Sequence, residues 1–169
     1  IKPVLRTLLA KEDEKSEIYV RQNSIFIRGE RFVADNAEIL ADIPFSVETR
    51  PESVFDIEAG TVELKNDTHF STDTFGSTDG PSLNIRASES VAISESEIRI
   101  GSVGSTASGD AGRLSIEARD VPLSNTKIRS ESKKGSTGKA GDVRVAASES
   151  VTLSDSAIET YTTGMGRAG

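Results

Sequence analysis

The 169-residue chain sets 20 Lys and Arg against 27 Asp and Glu, a net charge of −7, and contains neither Cys nor Trp. An acidic balance repels phosphate backbones and anionic lipid, which argues against nucleic-acid binding and against docking on a charged membrane. No apolar run reaches the length of a membrane span, and the lack of cysteine excludes a disulfide framework or a thiolate metal site.

Apolar residues make up 35% of the chain and aromatics 5%. So little aromatic surface beside so much Ser and Gly is also the composition of disorder, but a disordered chain shows no apolar period. Periodicity therefore decides, and it has to be read along the chain.

Residues 1–17 read as an edge strand or a short helix running into the charged stretch Lys11 to Lys15, with no secretory signal at the start. A faint first rung follows, marked by Ile18, Val20, Ile25, Ile27 and Phe32. Residues 34–53 read as an insertion, an extra hairpin or lateral flap, with its own apolar content in Ile39, Leu40, Ile43, Phe45 and Val47. Residues 1–52 thus form an atypical amino-terminal rung with an insertion, and 53–169 a regular array.

In that array the same apolar pattern returns with a period of 28 to 31 residues. Ile57, Ile85, Ile116 and Val145 occupy one position, Val62, Val91, Val121 and Val151 a second, and Leu64, Ile93, Leu123 and Leu153 a third. Within a rung the period is two. Val143, Val145 and Ala147 alternate with Arg144 and Ala146, and Val151 and Leu153 flank Thr152. Short alternating runs bounded by Ser, Gly and Asp are half-buried strands. Each rung is expected to hold three, at 143–147, 150–154 and 157–161 in the last complete one. Tight turns are expected at Ser148-Glu149 and Asp155-Ser156, and a longer Gly-rich loop leads to the next rung. A chain that turns a corner between strands cannot pair them with one another. Each must pair with its equivalent above and below, so the pattern predicts an all-β, three-faced parallel solenoid. Pro122 falls mid-strand and removes one ladder donor, which predicts a local defect. The chain begins at Ile1 and closes on Gly166-Arg167-Ala168-Gly169, restating Gly138-Lys139-Ala140-Gly141; the expectation is a fragment cut inside a longer array.

Two of these rungs, Gly-Asp-Ala-Gly-Arg-Leu-Ser-Ile-Glu-Ala-Arg-Asp-Val from Gly109 and Gly-Lys-Ala-Gly-Asp-Val-Arg-Val-Ala-Ala-Ser-Glu-Ser-Val-Thr-Leu-Ser-Asp-Ser from Gly138, resemble the repeats of filamentous-haemagglutinin-like exoproteins. These belong to two-partner secretion systems and are abundant in cyanobacteria. The resemblance covers 80–169 well and 53–79 loosely. It implies a right-handed parallel β-helix, export by a dedicated outer-membrane transporter, and a role in adhesion or aggregation at the outer cell surface. The ligand, a glycan or protein of a host or neighbouring cell, is left open. The Asn-Pro-Asn-Gly-type motif of the family's secretion domain does not occur, so no secretion residue carries over.

Side chains able to carry chemistry are few. His69 is the only histidine and falls at the position of Ile98, Ile128 and Ile158, or, with a one-residue slip, leaves Phe70 inside. Asp73, Asp79, Asp110 and Asp142 sit near loops and invite a calcium reading. They lack the tandem nonapeptide of calcium-binding β-rolls and do not line up between rungs, so they read as solvated turn residues. Outward positions stack as Arg99, Arg129 and Glu159 on the third strand and as Glu58, Arg86, Glu117 and Ala146 on the first, which reads as cross-rung charge pairing. The Gly-rich stretch from Gly101 to Gly112 precedes no Lys-Ser/Thr and no helix, so it is loop and not a phosphate cradle. No residue is assigned a catalytic, cofactor or metal role. The expected function is a non-catalytic shaft segment of a secreted adhesin. The alternatives are a carbohydrate-active, pectate-lyase-like β-helix with catalytic rungs elsewhere, and the stalk of a contact-dependent toxin.

Overall fold

The structure is a computed structural model and describes residues 16–21, 24–43 and 53–168. Among these every regular element is a strand: β1 (Ser16–Arg21), β2 (Ile25–Asp35), β3 (Ala37–Asp42), β4 (Val54–Lys65), β5 (His69–Thr74), β6 (Ser82–Ser94), β7 (Glu97–Ser102), β8 (Leu114–Ser124), β9 (Lys127–Ser132), β10 (Val143–Ser154) and β11 (Ala157–Thr162). Long and short strands alternate and sort into two sheets. The short ones stack in the order β1-β3-β5-β7-β9-β11 and the long ones as β2-β4-β6-β8-β10. Every pairing is parallel and joins equivalent positions of successive rungs. This is a parallel β-solenoid.

The first two of the three expected strands of a rung run on as one long strand bent at the corner. Ser148 and Glu149 form no separate turn. They stand against Arg119 alone, between the pairs Ala147–Ala118 and Ser150–Asp120. In β6, Ser88 and Glu89 stand likewise against Gly60. Both halves keep pairing with the same neighbouring strand, so the chain bends through a bulge without leaving the ladder. The second corner is a true turn. Asn36, Asn66, Glu95, Asn125 and Asp155 all take positive φ there, between 47° and 53°, a conformation that Asn and Asp tolerate better than most residues.

The core follows from the register. Phe55, Leu83 and Leu114 form one inward column, Ile57, Ile85 and Ile116 the next, then Val62, Val91 and Val121, and Leu64, Ile93 and Leu123. Across from them, Ile39, Phe70, Ile98 and Ile128 line the short sheet, all fully buried. Each such side chain contributes roughly 1.5–3 kcal/mol of burial. Phe55 and Phe70 meet edge to face, centroids 4.9 Å apart. Phe70, and not His69, therefore takes the inward position, because an imidazole there would need a partner that the surrounding aliphatics cannot give.

The expected insertion at 34–53 is corrected in its first half. Ala34 and Asp35 close β2, and Ala37–Asp42 is the regular short strand β3, with Ile39 in the core column. Its apolar residues are not surplus to a rung: Ile18 and Val20 belong to β1, one level down, paired with Ile39 and Ala41. Residues 44–52 of that expectation, and 1–15 of the edge strand or helix, lie outside the described residues. Pro122 leaves its mark only on one side. The β8 pairing with β10 runs through it, whereas pairing with β6 passes from Ser90–Asp120 to Ile93–Leu123.

The Gly-x-Ala-Gly motif has a steric cause. At the loop corner one rung's backbone lies directly on the next. A Cβ on Gly112 would stand 1.9 Å from the Pro81 carbonyl oxygen, and one on Gly141 1.7 Å from that of Gly112. The alanine just before each of these glycines, Ala111 or Ala140, is buried. A hydroxyl at the end of β5, β7 and β9 pins the loop that follows. Thr74 donates to Thr78 O at 2.5 Å, Ser102 to Gly109 O at 2.8 Å and Ser132 to Gly138 O at 2.7 Å.

Gly112→Ala should cost about 3 kcal/mol or more in urea unfolding, as overpacking against rigid backbone does. Gly29→Ala, whose Cβ would meet nothing nearer than 4.0 Å, should stay within about 0.5 kcal/mol. At the β10–β11 end, Val151, Leu153 and Ile158 occupy core columns yet are 41%, 51% and 38% exposed. Beside unpaired strand edges they should make the isolated chain self-associate, and Leu153→Lys with Ile158→Lys should weaken that association in sedimentation velocity.

Candidate functional site

Outward side chains inherit the same register, so the outer faces carry columns of charge. On the long sheet Arg28, Glu58, Arg86, Glu117 and Ala146 succeed one another. Buried Asp56 pairs with both Arg28 and Arg86, the latter at 3.0 Å, and Arg144 reaches Glu117. On the short sheet Arg99, Arg129 and Glu159 stack. Arg129 spans two rungs, 3.2 Å from Glu97 and 3.6 Å from Glu159. Opposite charges thus pair across rungs, as the sequence predicts, while Arg99 and Arg129 stand as like-charged neighbours in one column.

The most tightly built group lies two positions further along the short strands. The register there brings together Asp73, Gly101, Glu131 and Tyr161, with Asp42 of β3 accepting the Asp73 backbone N–H at 3.1 Å. Although outward, Asp73 and Glu131 are 1% and 5% exposed. Arg99 joins them, its Nη2 2.5 Å from Asp73 Oδ2 and its Nε 3.8 Å from Glu131 Oε1. Glu131 also accepts from Tyr161 Oη at 2.6 Å and lies 3.1 Å from Lys133 Nζ. Gly101 makes the space: a Cβ there would be 2.7 Å from Asp73 Oδ1.

The two carboxyls respond differently to their surroundings. Burial pushes Asp73 from its ordinary 3.8 up to about 6, more than Arg99 can draw it down, and nearby Asp42 adds to the rise. Asp42 is raised too, chiefly by burial. Burial also lifts Glu131, but Tyr161, Lys133 and Arg99 outweigh it and hold its carboxyl below the ordinary range. Arg99 loses hydration yet is kept charged by Asp73 and Glu131. Asp73 Oδ1 accepts no hydrogen bond among the described residues.

The other residues singled out in the sequence are placed as follows. His69 is half-buried with Nδ1 3.8 Å from Glu97. Asp73, expected among solvated turn residues, is instead the buried carboxyl just described, because it lies inside β5. Asp79 and Asp110, expected out of line, are in line. Asp79 Oδ1 accepts the Asp110 N–H at 2.8 Å and Asp110 Oδ1 that of Lys139 at 2.9 Å, a ladder capping loop amides. Asp142 faces Arg113 at 3.3 Å. Among the described residues no group of three or more His, Cys, Asp or Glu could hold a metal ion. Asp42, Glu131, Lys133 and Tyr161 were missed in the sequence; the signal that finds them is rung alignment carried past the apolar positions to the outward ones. A groove of about 490 Å3 also runs over the stacked turns, lined by Asn66, His69, Glu95, Glu97, Asn125 and Lys127 among others.

Chemically the cluster holds charge in place and leaves little room for a reaction. A catalytic carboxylate has to come within hydrogen-bond reach of its substrate, and Asp73 and Glu131 are sealed and already ion-paired. The chain matches no protein-family profile, no curated protein and no solved structure.

Arg99→Met leaves two buried carboxylates short of their shared cation and should cost about 3–5 kcal/mol near neutral pH. Asp73 takes up a proton near its raised pKa, so part of that loss should return near pH 5. Urea unfolding at both pH values reads the difference.

Proposed function

We propose that this chain is a stretch of shaft from a secreted filamentous surface protein of the haemagglutinin-like kind. It is carried out by a dedicated outer-membrane two-partner-secretion transporter and serves adhesion or aggregation outside the cell. The supporting observation is the stack itself. The long and short strands pair rung on rung in parallel register, and much of the outward charge is met by the neighbouring rung. Such an object is stiff, extends by adding rungs, and presents repeated polar faces and loops. The repeat resemblance over 80–169 supplies the export route and the extracellular setting. Neither nucleic acid nor membrane insertion has a place in this reading: the net charge is −7, and among the described residues no helix is long and apolar enough to cross a membrane.

The reading assigns no catalytic step. A carbohydrate-active alternative draws support from Asp42, Asp73 and Glu131 on one outward face, the kind of carboxylate group such an enzyme requires. The burial of Asp73 and Glu131 weighs against it, because a polysaccharide lying on the sheet could not touch them.

Antibodies raised against residues 80–160 should label intact producing cells, and inactivating the cognate transporter should retain the antigen in the periplasm. Labelling seen only after permeabilisation overturns the shaft reading, and release of reducing ends from an acidic polysaccharide by the purified chain overturns its non-catalytic half.

A further inference from the structure

The outer face of the short sheet is unevenly compensated, and the imbalance falls on one residue. Around Asp73 of β5 stand Asp42 from β3, Arg99 and Glu97 from β7, Glu131 from β9 and Lys133 just beyond it. Glu97 is engaged with Arg129 at 3.2 Å, and Lys133 and Tyr161 are both engaged with Glu131, at 3.1 Å and 2.6 Å. That leaves Asp73 with half of one guanidinium. Its neighbour on the other side, Asp42, is a like charge that already receives the Asp73 backbone N–H. Asp73 Oδ1 lies buried over Gly101 and accepts no hydrogen bond among the described residues. An ionised carboxylate pays heavily for such a place, and the neutral acid far less.

We propose that the Asp42–Asp73–Arg99–Glu131 column is a proton-operated clasp: at neutral pH it strains the junction of β3, β5 and β7, and on mild acidification Asp73 takes a proton from solvent and the three rungs close more firmly. The proton goes to Asp73 and not to Glu131, because Glu131 accepts from both Tyr161 and Lys133 while Asp73 accepts from the Arg99 side chain alone. The sign follows from linkage. A carboxyl that is harder to ionise in the fold than in the open chain takes up a proton on folding. Its contribution is therefore fullest in acid and fades as pH rises from about 4 to about 6. Glu131, shifted the other way, has the opposite sign: its contribution is present above its ordinary range and is lost as pH falls below it.

The measurement is amide hydrogen exchange of the folded chain at Asp73, Gly101 and their strand neighbours, with the intrinsic pH dependence of exchange divided out. From about pH 7.5 to about pH 5 the protection there should rise about tenfold, the ratio that linkage gives for this carboxyl. Long-sheet amides around Ile85 and Ile116 should respond less. Asp73→Asn, uncharged at every pH and nearly the same size, should flatten the response. His69→Gln, which removes the imidazole beside Glu97, should leave it in place. A flat profile in the unaltered chain, a slope that survives Asp73→Asn, or a slope that disappears with His69→Gln overturns the proposal. Should Asp73→Asn fail to fold, the Asp73 side-chain carboxyl carbon followed by NMR in the unaltered chain decides: a midpoint at or below the ordinary 3.8 overturns it as well.

Discussion

Backbone donors and acceptors in this molecule look up and down the stack, because a strand here has no partner within its own rung. Buried amides and carbonyls must be paired, so each strand is held by the strands one rung above and one rung below, in parallel and nearly in register. That constraint turns the sequence into columns. A residue meets the same position of its neighbours, about 4.8 Å away, and the chemistry of a position has to be tolerable when repeated.

Apolar positions repeat without difficulty, which is why Ile57, Ile85 and Ile116 can sit one over another at full burial. Polar positions need devices. At the turn a hydroxyl follows the positive-φ residue: Thr68 donates to Lys65 O at 2.7 Å and Thr126 to Ser124 O at 3.0 Å. The one Thr126 hydroxyl proton is shared with a carbonyl across the stack, Ile93 O, also at 3.0 Å. At the loop corner, where even a methyl group would strike the next rung, the position is simply emptied to glycine. At the strand ends the hydroxyls of Thr74, Ser102 and Ser132 let loops of different length close on the same place. Length varies in this solenoid in the loops, where these hydroxyls join backbone bonds such as Thr137 N–H to Ala107 O at 2.9 Å.

These devices also set what could be seen in the sequence. The apolar columns were legible from residue 53 onward because four or five copies of one spacing leave few alternatives. The Gly-x-Ala-Gly motif was legible as a repeat but not as backbone contact. The bend at Ser148-Glu149 read as a turn because polar pairs between apolar runs mark turns and bulges alike; only pairing distinguishes them. The first rung was misplaced because Ile18 and Ile39 are separated by 21 positions, not by about 30, and β1 lies with the short strands, one level below β3. The choice between His69 and Phe70 needed only the principle that an aliphatic wall has no partner for an imidazole. Asp73 could not be read at all: nothing in its neighbours along the chain reveals burial, which arises from Gly101 in the next rung and Arg99 beside it.

Charge is the hardest property to repeat, and it explains why the polar cluster sits where it does. Like charges in one column repel at rung spacing, and the long sheet avoids this by alternating Arg28, Glu58, Arg86 and Glu117. The short sheet does not alternate: Arg99 and Arg129 are direct neighbours. Their repulsion is met on Arg129 by Glu97 of an adjacent column and Glu159 of its own, and on Arg99 by Asp73 and Glu131 of the column beyond. Placing a second arginine in register thus requires carboxylates in the column beyond it, and the omission of a side chain at Gly101 lets one of them sink below the surface. Burial that follows from balancing a neighbouring column, without any call on a ligand, is enough to give Asp73 its raised pKa. A perturbed carboxyl on this kind of solenoid is thus weak grounds for catalysis and better grounds for a sheet whose stability depends on pH.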